Sequence, residues 1–241
     1  MSIFNNLFGK GNSNSEQQTT VAQSTQTSTP APTTRTGNEV PLDLSKSGLL
    51  NLNKGDFLNL TKSGVSLSRI RAAAGWDMAN FGSIDLDLCA YLFAGGEYTG
   101  SGSSVAYKNG RLDGIVFYGD KRHPGIALDG DNLTGEGDGD DENITINFDK
   151  LRSDVDRIVI AVVIYSAGKT FGGVKNAYVR LVDESNGSRE LVRYNLSEDG
   201  GRNKAVVAAE LQRINGEWTF VAVGEYSNSD IKGRNGLDKK L

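Results

Sequence analysis

Apolar and polar residues alternate along most of the chain, and from Val40 onward the period is that of half-buried β-strands. Leu58 and Leu60 alternate with polar neighbours, Val65 and Leu67 do the same, and Ile144, Ile146 and Phe148 repeat the pattern. Helical spacing is not sustained anywhere in this part. Three Asn-Gly pairs punctuate it. Asn109-Gly110 separates residues 105–108 from a run containing 115–118, Asn186-Gly187 separates 177–182 from 191–196, and Asn215-Gly216 separates 205–211 from 218–223. Each pair supplies the positive backbone angles of a tight primed turn, so each predicts an antiparallel hairpin. Residues 158–165 are apolar throughout, as expected of a central strand covered on both faces. Roughly nine or ten strands with no helix between them predict an all-β protein, a two-layer antiparallel β-sandwich.

In such a sandwich the segment 119–143 is a long connection, of the kind that usually serves a function. It contains residues 129–142, DGDNLTGEGDGDDE, in which seven of fourteen positions are acidic, four are glycine and none is Lys or Arg. Two carboxylates about 5 Å apart repel by roughly 3 kcal/mol at an effective dielectric of about 20, so such crowding calls for water or a cation. Ca²⁺ fits: it takes six to eight oxygen ligands at about 2.3 to 2.6 Å in flexible geometry. The bland alternative is a solvated acidic loop. Against it stand the strand-like flanks, the glycine spacing and a second pair of acids upstream. An EF-hand register fails, because counting from Asp129 puts Thr134 at the sharp-turn glycine and Leu133 at a ligand position. The upstream pair is Asp85 and Asp87. Strand alternation puts them on one face with Cα atoms about 6.6 to 7 Å apart, opposite Ile84, Leu86 and Leu88. Because Cys89, Tyr91 and Phe93 continue the acidic face and look buried, the pair is expected at the mouth of the sandwich, facing the acidic loop.

Composition narrows the function classes. The 241 residues include 30 acids and 26 bases; without the seven acids of the loop, 23 acids remain, so the negative charge is local. A general nucleic-acid binder would need a basic face, and none is expected. Cys89 is the only cysteine and His123 the only histidine, which excludes an intramolecular disulfide and a Cys/His zinc site. No apolar run is long enough to span a bilayer and no secretory h-region is visible, so a cytoplasmic setting is expected. Residues 11–38 are rich in Ser, Thr, Gln and Asn and predict a disordered tether. Before it, Ile3, Phe4, Leu7 and Phe8 fall on one helical face, which suggests that residues 1–10 dock to a protein partner or a membrane interface. Residues 39–241 would form the sandwich domain.

Several motifs in order resemble the tellurium-resistance TerD-like proteins: Val65-Ser66-Leu67-Ser68, Gly75-Trp76-Asp77, Asp85-Leu86-Asp87, the acidic run 130–142, residues 171–176 and 194–199, and Asn215-Gly216-Glu217-Trp218. The resemblance runs from about Leu42 to Tyr226. It implies a β-sandwich that binds Ca²⁺ through acidic loops, in proteins tied to tellurite resistance and stress responses. Carried over by motif, the implied ligand pool is Asp85, Asp87, Asp129, Asp131, Asn132, Glu136, Asp138, Asp140, Asp141 and Glu142, with Asp77 a weaker candidate. The number of acids exceeds what one ion can coordinate, so two neighbouring Ca²⁺ ions are expected. The chain departs from the family pattern at its N-terminal tail and after Tyr226, where a Ser-, Asn- and Lys-rich ending replaces an apolar terminal helix.

No catalytic residue is expected. No phosphate-binding P-loop is present, Gly100-Ser101-Gly102 reads as a turn, and no activated nucleophile is recognisable near His123. Cys89 lies mid-strand and should pack in the core. The expected function is therefore a calcium-binding scaffold or calcium-responsive interaction module with protein partners. The alternative is a metal-dependent phosphoryl-transfer or hydrolytic enzyme using the carboxylate cluster with Mg²⁺, although Mg²⁺ sites usually employ fewer protein carboxylates.

Overall fold

The computed structural model describes residues 37–43, 49–50, 52–61, 67–77, 84–101, 104–130, 139–185, 187–196 and 200–241. The expected tether and docking peptide therefore lie outside the described residues, except that Gly37 and Asn38 are already hydrogen-bonded to Gly55 and to the Asp56 carboxylate. Two six-stranded sheets form the fold, and every paired strand is antiparallel.

The first sheet has the order β1 (Phe57–Asn59), β14 (Glu217–Ser227), β13 (Ala205–Ile214), β10 (Val155–Ile164), β3 (Leu86–Ala94) and β6 (Arg111–Val116). The second has the order β12 (Arg189–Asn195), β11 (Lys175–Asp183), β2 (Arg69–Asp77), β9 (Glu142–Asn147), β8 (Ile126–Asp129) and β7 (Arg122–His123). A separate hairpin joins β4 (Glu97–Ser101) to β5 (Ser104–Lys108). Strand alternation builds the core between the sheets. Leu88, Leu92, Ile158, Ile160 and Leu211 of the first sheet enter one buried cluster with Ile70, Ile144, Ile146, Val179 and Leu181 of the second. Fully burying each such side chain contributes about 1.5 to 3 kcal/mol.

The strand β10 sits between β13 and β3, as its unbroken apolar run requires. Its inward residues enter the core between the sheets, while Val159, Ala161 and Val163 enter a second cluster on the outer face with Cys89, Tyr91, Phe93, Tyr107, Ile231 and Leu237. The ending after Tyr226 thus has a packing role although it is not an apolar helix. Ile231 and Leu237, the latter opening a short 3-10 turn, supply apolar cover for the first sheet.

Three expectations need correction. Among the described residues there are fourteen strands, more than the nine or ten expected: the pattern passes over short strands such as Arg122–His123 and Ile126–Asp129, and over Arg69–Asp77, a full strand whose small and charged residues disguise the alternation. Asn109 does turn the chain, with φ of 61°, but β5 pairs with β4 and β6 with β3, so the two flanks of this turn do not pair with each other. The segment 119–143 is not one long connection either. Its first part forms β7 and β8, which end at Asp129, and β9 begins at Glu142; residues 131–138 between them lie outside the described residues. The other two hairpins are present. Asn215 and Gly216 have φ of 54° and 84° between the paired residues Ile214 and Glu217. β11 pairs with β12 around Gly187, with Asn186 itself outside the described residues. Among the described residues no helix is long and apolar enough to cross a membrane.

Candidate metal centre

Pairing of β8 with β9 places Asp129 opposite Asn143, so the acidic loop leaves and re-enters the second sheet at neighbouring positions. Asp129 Oδ2 accepts a hydrogen bond from Thr145 Oγ1 at 3.0 Å on the exposed side. Asp131, Asn132, Glu136 and Asp138 lie outside the described residues.

Where the chain rejoins the sheet, three consecutive acids go to three different partners. Asp140 lies on the outer face of the second sheet, held by two guanidiniums. Arg180 Nε and Nη2 donate to its two oxygens at 2.7 Å each, Arg71 Nη1 donates at 2.6 Å, and the Tyr178 hydroxyl adds a bond at 3.0 Å. Burial alone would raise its pKa, but the bonds and charges of Arg180 and Arg71 outweigh it and hold the carboxyl below the usual range. Glu184 and Glu190 complete the network at 2.7 Å from Arg71 and 2.6 Å from Arg180. Gly75 makes room for it: a Cβ there would lie 2.5 Å from the Tyr178 ring and 2.6 Å from the Gly139 carbonyl, which itself accepts from the Tyr178 hydroxyl at 2.8 Å.

Asp141 extends the sheet. Its amide donates to the Ala74 carbonyl at 2.9 Å and its Oδ2 accepts from Trp76 N at 2.8 Å. The Trp76 indole in turn donates to the Ile84 carbonyl at 3.0 Å, so one residue of β2 fastens the loop's end to the segment leading into Asp85. Gly75 and Trp76 are strand residues here, and Asp77 accepts from the Asn176 amide at the strand's end.

Glu142 enters the interior. Its side chain crosses to the first sheet, where Oε2 accepts from Leu88 N at 2.6 Å. The ladder between β3 and β6 begins only at Ala90, so this carboxylate meets a backbone donor that no strand reaches on that side. Both Glu142 (0% exposed) and the neighbouring Asp87 (2% exposed) are buried. Both charges act on Cys89: burial first, then Asp87 and Glu142, push its thiol well up. That thiol stays protonated, which argues against redox chemistry through it. Asp85 stands just before β3, half-buried, with its amide donating to Ser166 Oγ at 3.0 Å and its carbonyl accepting from Tyr165 N at 3.0 Å.

The structure therefore brings Asp87 and Glu142 to one stretch of β3, with Asp85 and Asp141 joined to it through the Trp76 bridge, and sends Asp140 elsewhere. Among the described residues, no three acids, histidines or cysteines converge into an ion cage. The buried carboxylates beside Leu88, Asp87 of the first sheet and Glu142 of the second, are oxygen donors of the kind a hard cation takes. The clamp of Arg71, Tyr178 and Arg180 was not anticipated from sequence. Its only signal is the placement of Arg71 and Arg180 among small or apolar strand residues, which marks an outward basic face.

Residues 49–234 match the TerD domain family. The chain is similar to general stress protein 16U of Bacillus subtilis (strain 168), at 36% identity over 181 residues covering 73% of this chain and 89% of that protein. It is similar to the tellurium resistance protein TerD of Serratia marcescens, at 38% identity over 183 residues covering 73% and 90%. Among solved structures, a homologue of telluride resistance protein from Streptomyces coelicolor A3(2) superposes with a TM-score of 0.55 at 25% identity, covering 68% of this chain and 93% of that one.

Proposed function

The chain belongs to the TerD family, and on that premise we propose that it is a calcium-binding module of a cytoplasmic stress response, acting as a scaffold or calcium-responsive interaction domain for protein partners. The observation that carries this reading is the burial of two carboxylates from opposite sheets, Asp87 and Glu142, beside the same segment of β3. Like charges withdrawn from water repel strongly, and a divalent cation with oxygen preference offsets that repulsion. The ligands would come from Asp85, Asp87, Asp141 and Glu142 together with Asp129, Asp131, Asn132, Glu136 and Asp138. Two ions suit so large a donor set. Asp140, engaged by two arginines, would serve as the anchor of the loop's end and leave coordination to its neighbours. When bound, calcium would supply positive charge and hold the loop closed; the protein's part is to present oxygens at fixed positions. The names of the relatives support a role in stress or tellurite resistance.

Titration calorimetry on chelator-stripped protein tests the proposal. Ca²⁺ should bind with measurable heat and raise the melting temperature by mass action, and Mg²⁺ should do so less. No heat with Ca²⁺ would end the calcium reading, and equal responses to both ions would favour the magnesium-dependent alternative.

A further inference from the structure

Beside the outer face of the first sheet lies a cleft that the calcium reading does not use. Its walls are the residues after β6 (Phe117 and Tyr118), the end of β10 with the turn beyond it, Lys204, and residues 230–232. Its volume is about 390 Å³, within the range of small-molecule sites. Three aromatic rings line it in sequence, with Phe117 and Tyr118 centroids 5.1 Å apart and Tyr118 and Tyr165 centroids 5.3 Å apart, both pairs edge to face. Tyr165 is 62% exposed and Tyr118 37%, so neither ring is there mainly to fill the core. The neighbouring Tyr165 hydroxyl, followed by burial, pushes the Tyr118 phenol up to about 12.

The charge in the cleft is positive. Lys204 is paired with Asp230 and closes one side. Lys232 is exposed, and its ammonium stands 4.6 Å from the Phe117 ring centroid; among the described residues it makes no ion pair. A lysine parked over an aromatic face, with no carboxylate to neutralise it, is ready to take an anion. The exposed Tyr165 ring, which lines the same cleft, offers a stacking surface for a flat ligand.

We propose that this cleft binds a small planar aromatic anion, with its ring laid on Tyr165 and its phosphate or carboxylate held by Lys232. A nucleoside monophosphate and an aromatic carboxylate both meet this description, and a neutral aromatic would use only half of the site. The test is an NMR titration of the full chain in EDTA, so that its outcome does not depend on calcium. Adenosine monophosphate, indole-3-acetate and uncharged adenosine serve as probes. The expected result is saturable shifts at Tyr118, Tyr165 and Lys232 with at least one anion, and the tighter of the two tells phosphate from carboxylate. Lys232→Ala should weaken that anion about fivefold and leave adenosine unchanged, since an exposed ion pair contributes about that factor. Tyr165→Ala should weaken charged and uncharged probes alike. Both side chains are exposed, so neither change threatens the fold. The absence of saturable shifts with both anions up to roughly 5 mM, a limit that corresponds to very weak binding, would overturn the proposal. Shifts that survive both substitutions would overturn it as well.

Discussion

Asp140, Asp141 and Glu142 are adjacent in sequence and share a charge, yet they are bound respectively by arginines, by a strand amide and by the backbone of the opposite sheet. The difference predicts different consequences for the same mutation. Asp140→Ala removes the acceptor shared by Arg71 and Arg180, although Glu184 and Glu190 still face those arginines. Breaking such a partly buried clamp should cost about 2 to 3 kcal/mol, measurable by urea unfolding at pH 7 and present in EDTA as well as in calcium. Asp87→Asn should instead change stability mainly in calcium. A loss of similar size in both variants and both buffers would contradict the division of roles. The pH dependence follows from the direction of the shift. Because the folded state holds the Asp140 carboxyl below its ordinary value of 3.8, its contribution is complete above that value and fades as the pH falls through the lower folded value. Asp140→Asn should therefore unfold at a higher pH than the wild-type chain during acid titration.

Among the elements, the strands whose alternation involves large side chains could be read from the sequence, and β10 and the Asn215-Gly216 hairpin are where the pattern places them. β2 was missed because Arg-Ile-Arg-Ala-Ala-Ala carries its inward positions largely as alanines, which give little contrast between faces. The partners of β5 and β6 were misassigned because a turn residue reports a local backbone angle and says nothing about which strand lies alongside. The same limit applies at the site. Spacing suggested that Asp85 and Asp87 approach the acidic loop; what the structure shows is Glu142 bonded to the backbone of Leu88, the residue after Asp87, while the diversion of Asp140 depended on arginines far away in sequence. One long-range pairing also holds the outer cover in place. Arg157 of β10 is 3% exposed and donates to Glu210 of β13 at 3.2 Å and to the Leu241 carbonyl at 2.9 Å, with its guanidinium 4.9 Å from the Phe93 ring and 5.1 Å from the Tyr107 ring. Arg157→Ala leaves a buried glutamate without that counter-charge, which should cost about 3 to 5 kcal/mol. The double variant Arg157→Met with Glu210→Leu should recover much of the loss in the same unfolding measurement. If the double variant were no more stable than Arg157→Ala, the ion pair would not be the source of the cost.

At the scale of the whole molecule, the proposed calcium site and the aromatic cleft share a wall. Asp85 receives a hydrogen bond from Tyr165 N at its carbonyl and donates its amide to Ser166 Oγ, and both partners line the cleft. The Asp87 charge also contributes to raising the Tyr118 phenol, after the Tyr165 hydrogen bond and burial. An anion entering the cleft of the metal-free protein therefore meets a field from the carboxylates at the strand's entry. Calcium at those carboxylates would offset much of that negative field, so adenosine monophosphate or indole-3-acetate should bind more tightly in calcium than in EDTA. Across a partly screened separation the gain should be about 0.5 to 1 kcal/mol, or two- to fivefold in affinity. Thermodynamic linkage then requires calcium to bind more tightly by the same factor when the cleft is filled. The two titrations are separable: calcium calorimetry with and without indole-3-acetate, which is the weaker chelator of the two anions, gives one factor, and anion titration with and without calcium gives the other. The two factors must agree whatever the route, so the variant locates the source of the coupling: Asp87→Asn should shrink both. Anion affinity that is equal in calcium and EDTA would leave two independent sites on one sandwich.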